Sequence, residues 1–203
     1  MLAKRNLFFF ILIGILTTSC SIDEKFQFNS DLSGHYSFEF DYGAILALDS
    51  SGSANMEMDK GYIEMEEELK GIDGLSNIVV LSDNINGKVL VSYDFSTIDA
   101  LNQANYNKES KRYNKFFSAN KNKLQFTSDF SDELEEFKDP KMDDEELLEN
   151  IESFIDYKMT FNFENKFKII QLNNYTQVDD HTLLFTLTKE SVLKANGFEI
   201  KMK

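Results

Sequence analysis

The stretch that decides the fold is residues 86–104, NGKVLVSYDFSTIDALNQA. Asn86-Gly87 is the preferred dipeptide of a tight hairpin turn, with glycine supplying the positive φ that such turns require. After it Val89, Val91, Tyr93 and Phe95 alternate strictly, with Leu90, Ser92 and Asp94 between them, the period of a strand with one buried face. Ser96 with Asp99 has the form of a capping box with Asp in place of Glu, and it opens a short helix through Ile98 and Leu101. Turn, strand and helix within nineteen residues predict short elements joined by tight connections.

Working outward, the same alphabet recurs. Tyr36, Phe38, Phe40 and Tyr42 alternate with Ser37, Glu39 and Asp41, a second strand. Residues 49–53 form a turn cluster, and Met56 and Met58 read as a partner strand after it. Asp59 can cap a helix to about Lys70, with Tyr62, Met65, Leu69 and Ile72 at helical spacing and Gly71 as its stop. Ile78–Leu81 is a short apolar strand. A hairpin is expected over Tyr113–Ser118 and Lys123–Thr127, joined by residues 119–122. Acidic helices follow over 129–138 and from Asp143, the latter with an apolar face of Leu147, Leu148, Ile151, Phe154 and Ile155. Asp139-Pro140 separates them. Strands close the chain at 157–163, 167–172, 182–187 and 197–201, with a turn at Asp179-Asp180 and a brief helix near 190–195. The fold class is therefore α+β: a mainly antiparallel sheet of hairpins with several short helices packed on it.

The N-terminal twenty residues address location. Lys4 and Arg5 precede the unbroken apolar run Leu7–Leu16, and Thr17-Thr18-Ser19 leads into Cys20, the sole cysteine. Ten apolar residues suit a signal region of about 7–15, not a membrane span of roughly 20. This layout resembles a bacterial lipoprotein signal, of the looser Bacteroidota kind, with Thr17 where leucine is usual. The resemblance implies cleavage before Cys20, its lipidation with fatty acids such as palmitate, and firm anchoring by a triacylated cysteine where one chain alone would hold weakly. Ser21, not aspartate, implies the outer membrane by similarity to sorting rules. Asp23-Glu24 resembles the acidic surface-export signals of the same group, so the domain faces either the periplasm or the cell surface. The expected organisation is a signal peptide over 1–19, a lipidated cysteine and polar tether over 20–33, and one domain over 34–203 with a sub-boundary near 129–142.

Charge and composition narrow the partners. The chain carries 35 acids against 21 bases, and without the signal's two bases the remaining 184 residues stand at 19 against 35, a net −16. Such a surface repels phosphate backbones, which argues against nucleic acid. It equally disfavours anionic lipid, leaving the lipidated Cys20 as the membrane contact. A chain that gives its sole cysteine to the anchor must fold on its core, without disulfides.

A second resemblance rests on residues 159–187, MTFNFENKFKIIQLNNYTQVDDHTLLFTL, and on residues 89–104. An aromatic strand, an asparagine pair and an Asp-Asp turn resemble the closing segment of the LppM-type lipoprotein domain, with Phe185 where a tryptophan is expected. The strand-then-helix unit is similar too. What this implies is a non-enzymatic envelope lipoprotein, and it assigns no site residues.

No catalytic, cofactor or metal constellation stands out. His35 and His181 are isolated, without the second His or Cys a metal site needs. No nucleophile elbow or phosphate loop occurs. Asp143-Asp144-Glu145-Glu146 lacks the alternating spacing of a calcium loop and suits a helix start. Asn174-Tyr175-Thr176 fits a glycosylation sequon. The leading expectation is a lipid-anchored, non-catalytic envelope protein binding an unknown protein or glycan partner or supporting envelope assembly. The alternatives are a secreted glycan hydrolase using paired carboxylates and an acidic inhibitor or decoy of a basic partner.

Overall fold

The computed structural model describes residues 20–43, 53–107, 111–113, 115–128, 155–188, 191 and 196–203. The signal over 1–19, both acidic helices over 129–154 with their Asp143–Glu146 start, and most of the expected helix at 190–195 lie outside the described residues. In chain order the elements are β1 (Cys20–Phe28), β2 (Gly34–Asp41), α1 (Ser53–Lys70), β3 (Leu75–Asp83), β4 (Lys88–Phe95) and α2 (Ile98–Ala104). There follow β5 (Tyr106–Asn107), β6 (Arg112–Tyr113), β7 (Lys115–Asn120), β8 (Lys123–Ser128) and β9 (Ile155–Phe163). The last are β10 (Phe167–Asn173), β11 (Thr176–Gln177), β12 (Thr182–Thr186) and β13 (Asn196–Met202).

Seven strands form one sheet in the order β11-β12-β9-β1-β2-β4-β3, and four form a second in the order β10-β13-β8-β7. Every pairing is antiparallel except β1 with β9, which is parallel from Cys20↔Ile155 to Phe28↔Phe163. The structure is thus mainly sheet. Two helices are present among the described residues where several short ones were expected, and α1, at 18 residues, is not short.

The register explains the core. Phe26 lies between Tyr36 on β2 and Phe161 on β9, and Tyr36 pairs in turn with Tyr93 on β4. Period-two alternation therefore puts these rings on one face, while Lys25, Ser37, Ser92 and Thr160 take the other. The second sheet answers with Phe117, Phe126, Phe198 and Ile200, all buried. Phe26 stacks on Phe161 with centroids 4.9 Å apart, Phe126 meets Phe161 at 4.9 Å and Phe117 at 4.6 Å. Each such pair adds about 0.5–1.5 kcal/mol beyond its buried area.

The largest correction concerns residues 20–33. They were expected to be a tether, yet 20–28 form β1 in the middle of the large sheet, with β2 on one side and β9 on the other. The alternation Ile22, Glu24, Phe26, Phe28 is present in the sequence, but the inward position 24 is a carboxylate. One charge at a core position makes the segment read as polar.

Smaller corrections follow the same logic. Met56 and Met58, expected in a strand, lie within α1, which begins at Ser53; two alternating residues are outweighed by the strong helix formers around them. Ile155, expected on a helix face, opens β9. The cap of α2 is Thr97, whose Oγ1 accepts from the Ala100 amide at 3.1 Å, one residue beyond the expected Ser96. The Asn86-Gly87 hairpin is a four-residue loop between β3 and β4: Asp83 accepts from the amides of Ile85 and Asn86, and Gly87 takes φ 67°.

Two local contacts fix the placement of β7 and β2. On α2, Asn102 is buried and pairs with β7 as a strand would, its Nδ2 donating to the Phe117 carbonyl and its Oδ1 accepting from the Phe117 amide, both at 2.8 Å. This pairs both backbone groups of Phe117 on the edge strand β7, two residues from Lys115. Gly34 starts β2 so close to β1 that a Cβ there would sit 1.8 Å from the Gln27 carbonyl oxygen and 2.7 Å from the Phe95 ring. Gly34→Ala is expected to destabilise the domain by about 1–3 kcal/mol or more, because backbone must move to admit the methyl. A urea midpoint unchanged from wild type would contradict the register of β1 with β2.

Candidate functional site

The inward carboxylate of β1 is the centre of a polar cluster inside an apolar face. Glu24 is 1 % exposed. Its Oε1 accepts from the Tyr36 hydroxyl at 2.5 Å and from the Lys115 ammonium at 2.8 Å. Its Oε2 accepts from the Tyr157 hydroxyl. A buried carboxylate is tolerable only when paired and hydrogen-bonded, and here one cation and two hydroxyls satisfy it. Burial first, and then the negative charge of Glu24, hold the phenols of Tyr36 and Tyr157 well above their ordinary value, so both remain donors. Tyr93, stacked on Tyr36 at 4.8 Å, is raised in the same direction by burial and by Glu24.

Above this cluster lies a cavity of about 680 Å³. Its floor is the sheet, with Glu24, Tyr36, Phe38, Val91 and Tyr93. Its roof is α1, which presents Tyr62, Met65 and Leu69, with Ile72 in the turn just after the helix continuing the stripe legible in the sequence. The end of α2 at residues 103–105, the β5–β6 ribbon with Tyr106 and Tyr113, and Lys115 of β7 close the remaining side. Volume and walls match a small-molecule site: concave, largely apolar, with a few convergent polar groups. The stripe of α1 is not fully covered, since Met65 stays 41 % exposed. Tyr106, Tyr113 and the neighbouring Phe116 are exposed as well, and they touch one another with centroids 5.0 and 5.2 Å apart. Clustered exposed aromatics beside a cavity mark a binding mouth more than a packing defect.

The sequence-predicted residues fall elsewhere or play other parts. Cys20 begins β1 itself and is buried, so no linker separates it from the sheet. Ser21 follows it in the strand, paired with Asp41 and Asp156. Of the acidic pair, Asp23 takes the opposite face while Glu24 turns into the core. His35, isolated in sequence, meets Asp94 at 2.7 Å, and Asn77 donates to the other oxygen of that carboxylate at 2.6 Å. The Asn77 bond and then the His35 bond hold the Asp94 carboxyl below its ordinary value. His35 and Asp94 border a polar depression with Ser33, Ser76 and Ser96. His181 contacts the Phe163 carbonyl at 2.9 Å. In the sequon, Asn174 Nδ2 already donates to Asn196 at 2.7 Å, and Tyr175 is buried.

The Glu24 cluster escaped the sequence reading because its members are far apart in the chain. The signal that could have found it is a single acid at an inward position of an otherwise aromatic alternation.

The sequence matches no known protein-family model and no curated protein sequence. Among solved structures, the chain is similar to the folded domain of Mycobacterium tuberculosis LppM determined by NMR, with a TM-score of 0.50 and 12% sequence identity over 92% of this chain and 91% of that one. The likeness is one of fold, and it agrees with the resemblance read from residues 89–104 and 159–187.

Proposed function

We propose that this chain is a lipid-anchored envelope protein, held through Cys20 at the outer membrane, whose domain binds an apolar or amphipathic ligand without transforming it. The observation that carries the reading is the 680 Å³ cavity between α1 and the sheet, apolar in its walls and rimmed by exposed tyrosine and methionine. The signal layout of residues 1–20 supports the anchoring half. Its consequence is mechanical: with Cys20 already in β1, an anchored domain would stand against the membrane without a spacer.

The hydrolase alternative asks for two carboxylates about 5–10 Å apart across a groove, one of them free to donate or attack. Glu24, the buried carboxylate among the described residues, accepts three hydrogen bonds and is neutralised by Lys115, a poor preparation for either role. An acidic decoy would work through a smooth charged face, whereas the distinctive feature here is a concave one.

The test has two readouts. Cys20→Ser is expected to abolish fatty-acid labelling in cells and release the protein from membranes; continued membrane retention would remove the anchor. For the cavity, the neutral dye N-phenyl-1-naphthylamine is expected to brighten on binding. Met65→Glu, at an exposed position on α1, should weaken that binding by about tenfold, the ratio that corresponds to 1.4 kcal/mol. A dye that binds equally to both forms would place apolar binding elsewhere.

A further inference from the structure

Resting on that ligand-binding reading, we infer that the cavity takes its ligand head first: an apolar chain ending in an uncharged hydrogen-bond acceptor, a ketone or ester carbonyl, met at the floor by the Tyr93 hydroxyl and the Lys115 ammonium. These two side chains have bonding capacity left. Tyr93 is 3 % exposed and lines the cavity, yet its hydroxyl makes no hydrogen bond among the described residues. Lys115 lines the cavity too, and among the described residues it donates only to Glu24, at 2.8 Å. The strand register brings the two donors to one place. Tyr93 is the cross-strand neighbour of Tyr36 and stacks on it with centroids 4.8 Å apart. The Tyr36 hydroxyl and the Lys115 ammonium both bond the same oxygen of Glu24, so Tyr93 stands beside that cluster.

The chemistry of these groups selects the head. An ammonium can only donate, a phenol can donate, and the oxygens of Glu24 already accept three bonds. A ligand that reached the floor without an acceptor would strand both donors away from water, at the cost of desolvated polar groups. An anionic head fits less well than a neutral one. The charge of Lys115 is matched by Glu24, so a carboxylate would add an unmatched negative charge to a buried pair. Burial and then the charge of Glu24 hold the Tyr93 phenol above its ordinary value, and both would oppose another negative charge there. With the head at the floor, the chain lies between Phe38 and Val91 of the sheet and Leu69 of α1, its end toward the exposed Met65.

Displacement of N-phenyl-1-naphthylamine from the full chain by methyl octyl ketone and by decanoate, which have the same carbon count, tests the assignment at neutral pH. The ketone is expected to bind more tightly than decanoate. Tyr93→Phe keeps the ring that stacks on Tyr36 and removes only the hydroxyl. It should weaken the ketone relative to the dye, which has no carbonyl, by about threefold to tenfold, the worth of one hydrogen bond. Infrared spectra of the ketone bound to the unaltered protein give a readout that needs no variant. Its carbonyl stretch should lie below its frequency in hexane, and should move back toward that frequency in Tyr93→Phe. An unchanged ratio of ketone to dye affinity, a stretch at the hexane value, or decanoate binding as tightly as the ketone would overturn the inference and leave the cavity as a binding site. Failure of the dye itself to bind would take down the ligand-binding reading.

Discussion

Replacing Glu24 by alanine is expected to lower the free energy of unfolding by about 3–5 kcal/mol, the range for breaking a buried ion pair by removing one partner. The loss exceeds that of one contact because three donors depend on the same carboxylate. Lys115, only 17 % exposed, would lose its counter-charge, and the buried hydroxyls of Tyr36 and Tyr157 would lose their acceptor. Removing the other end should cost a comparable amount: Lys115→Met leaves Glu24, the more deeply buried of the two, with two hydroxyl donors and no counter-charge. The double change Glu24→Leu/Lys115→Met, which takes out both charges, is expected to recover much of the Glu24→Ala loss. Urea unfolding with m held constant reads each value, and adding the single variant Glu24→Leu closes the cycle with Lys115→Met that isolates the pair. Equal stability of Glu24→Ala and wild type would mean the carboxylate is not buried in the folded state. The phenols add a pH signature. Their folded values lie above the ordinary 10.0, so below that pH both states are protonated and the contribution is intact. As pH rises past 10.0 the unfolded chain releases these protons and the folded one does not, so stability falls on the alkaline side.

A loss of similar size is expected from Phe161→Ala, about 3–5 kcal/mol. Phe161 is fully buried on β9 and is the ring at which the two sheets meet, stacked on Phe26 from its own sheet and touching Phe126 and Phe198 from the other. Truncation leaves a cavity ringed by aromatics that are themselves held by β-ladders, so the surroundings can collapse only in part. Val178→Ala, at a position 58 % exposed, serves as the contrast and should stay within about 0.5 kcal/mol of wild type. A Phe161→Ala protein as stable as that control would contradict the packing of the two sheets. Both large predictions concern residues on strands adjacent in the sheet, β1 and β9, which pair in parallel although more than a hundred residues separate them.

Much of the sheet was legible beforehand. Strands β2, β4, β8, β9, β10, β12 and β13 were expected near their observed places, because each buries one face and so shows a period of two. The α1 stripe, ending at Lys70, was legible for the same reason at helical spacing. What failed failed locally and for identifiable causes. A charge at an inward position hid β1, and two alternating methionines imitated a strand inside α1. The candidate site was the least legible feature. Its walls were each recognised as apolar faces, but nothing in a single face shows that α1 and the sheet stand apart instead of closing on each other.

By itself, then, the sequence determined what neighbouring residues can decide: strand and helix periods, turn and cap chemistry within a residue or two, the net acidity, and the signal-like layout ahead of Cys20. Only the tertiary structure decided that Cys20–Phe28 is a central strand, that Glu24 is buried, and that five tyrosines share a cavity. The physical reason is distance along the chain. The three groups that make Glu24 tolerable, Tyr36, Lys115 and Tyr157, lie 12, 91 and 133 residues away from it. A carboxylate at residue 24 reads as a surface residue until those donors are brought to it, and it is the folding of the two sheets that brings them.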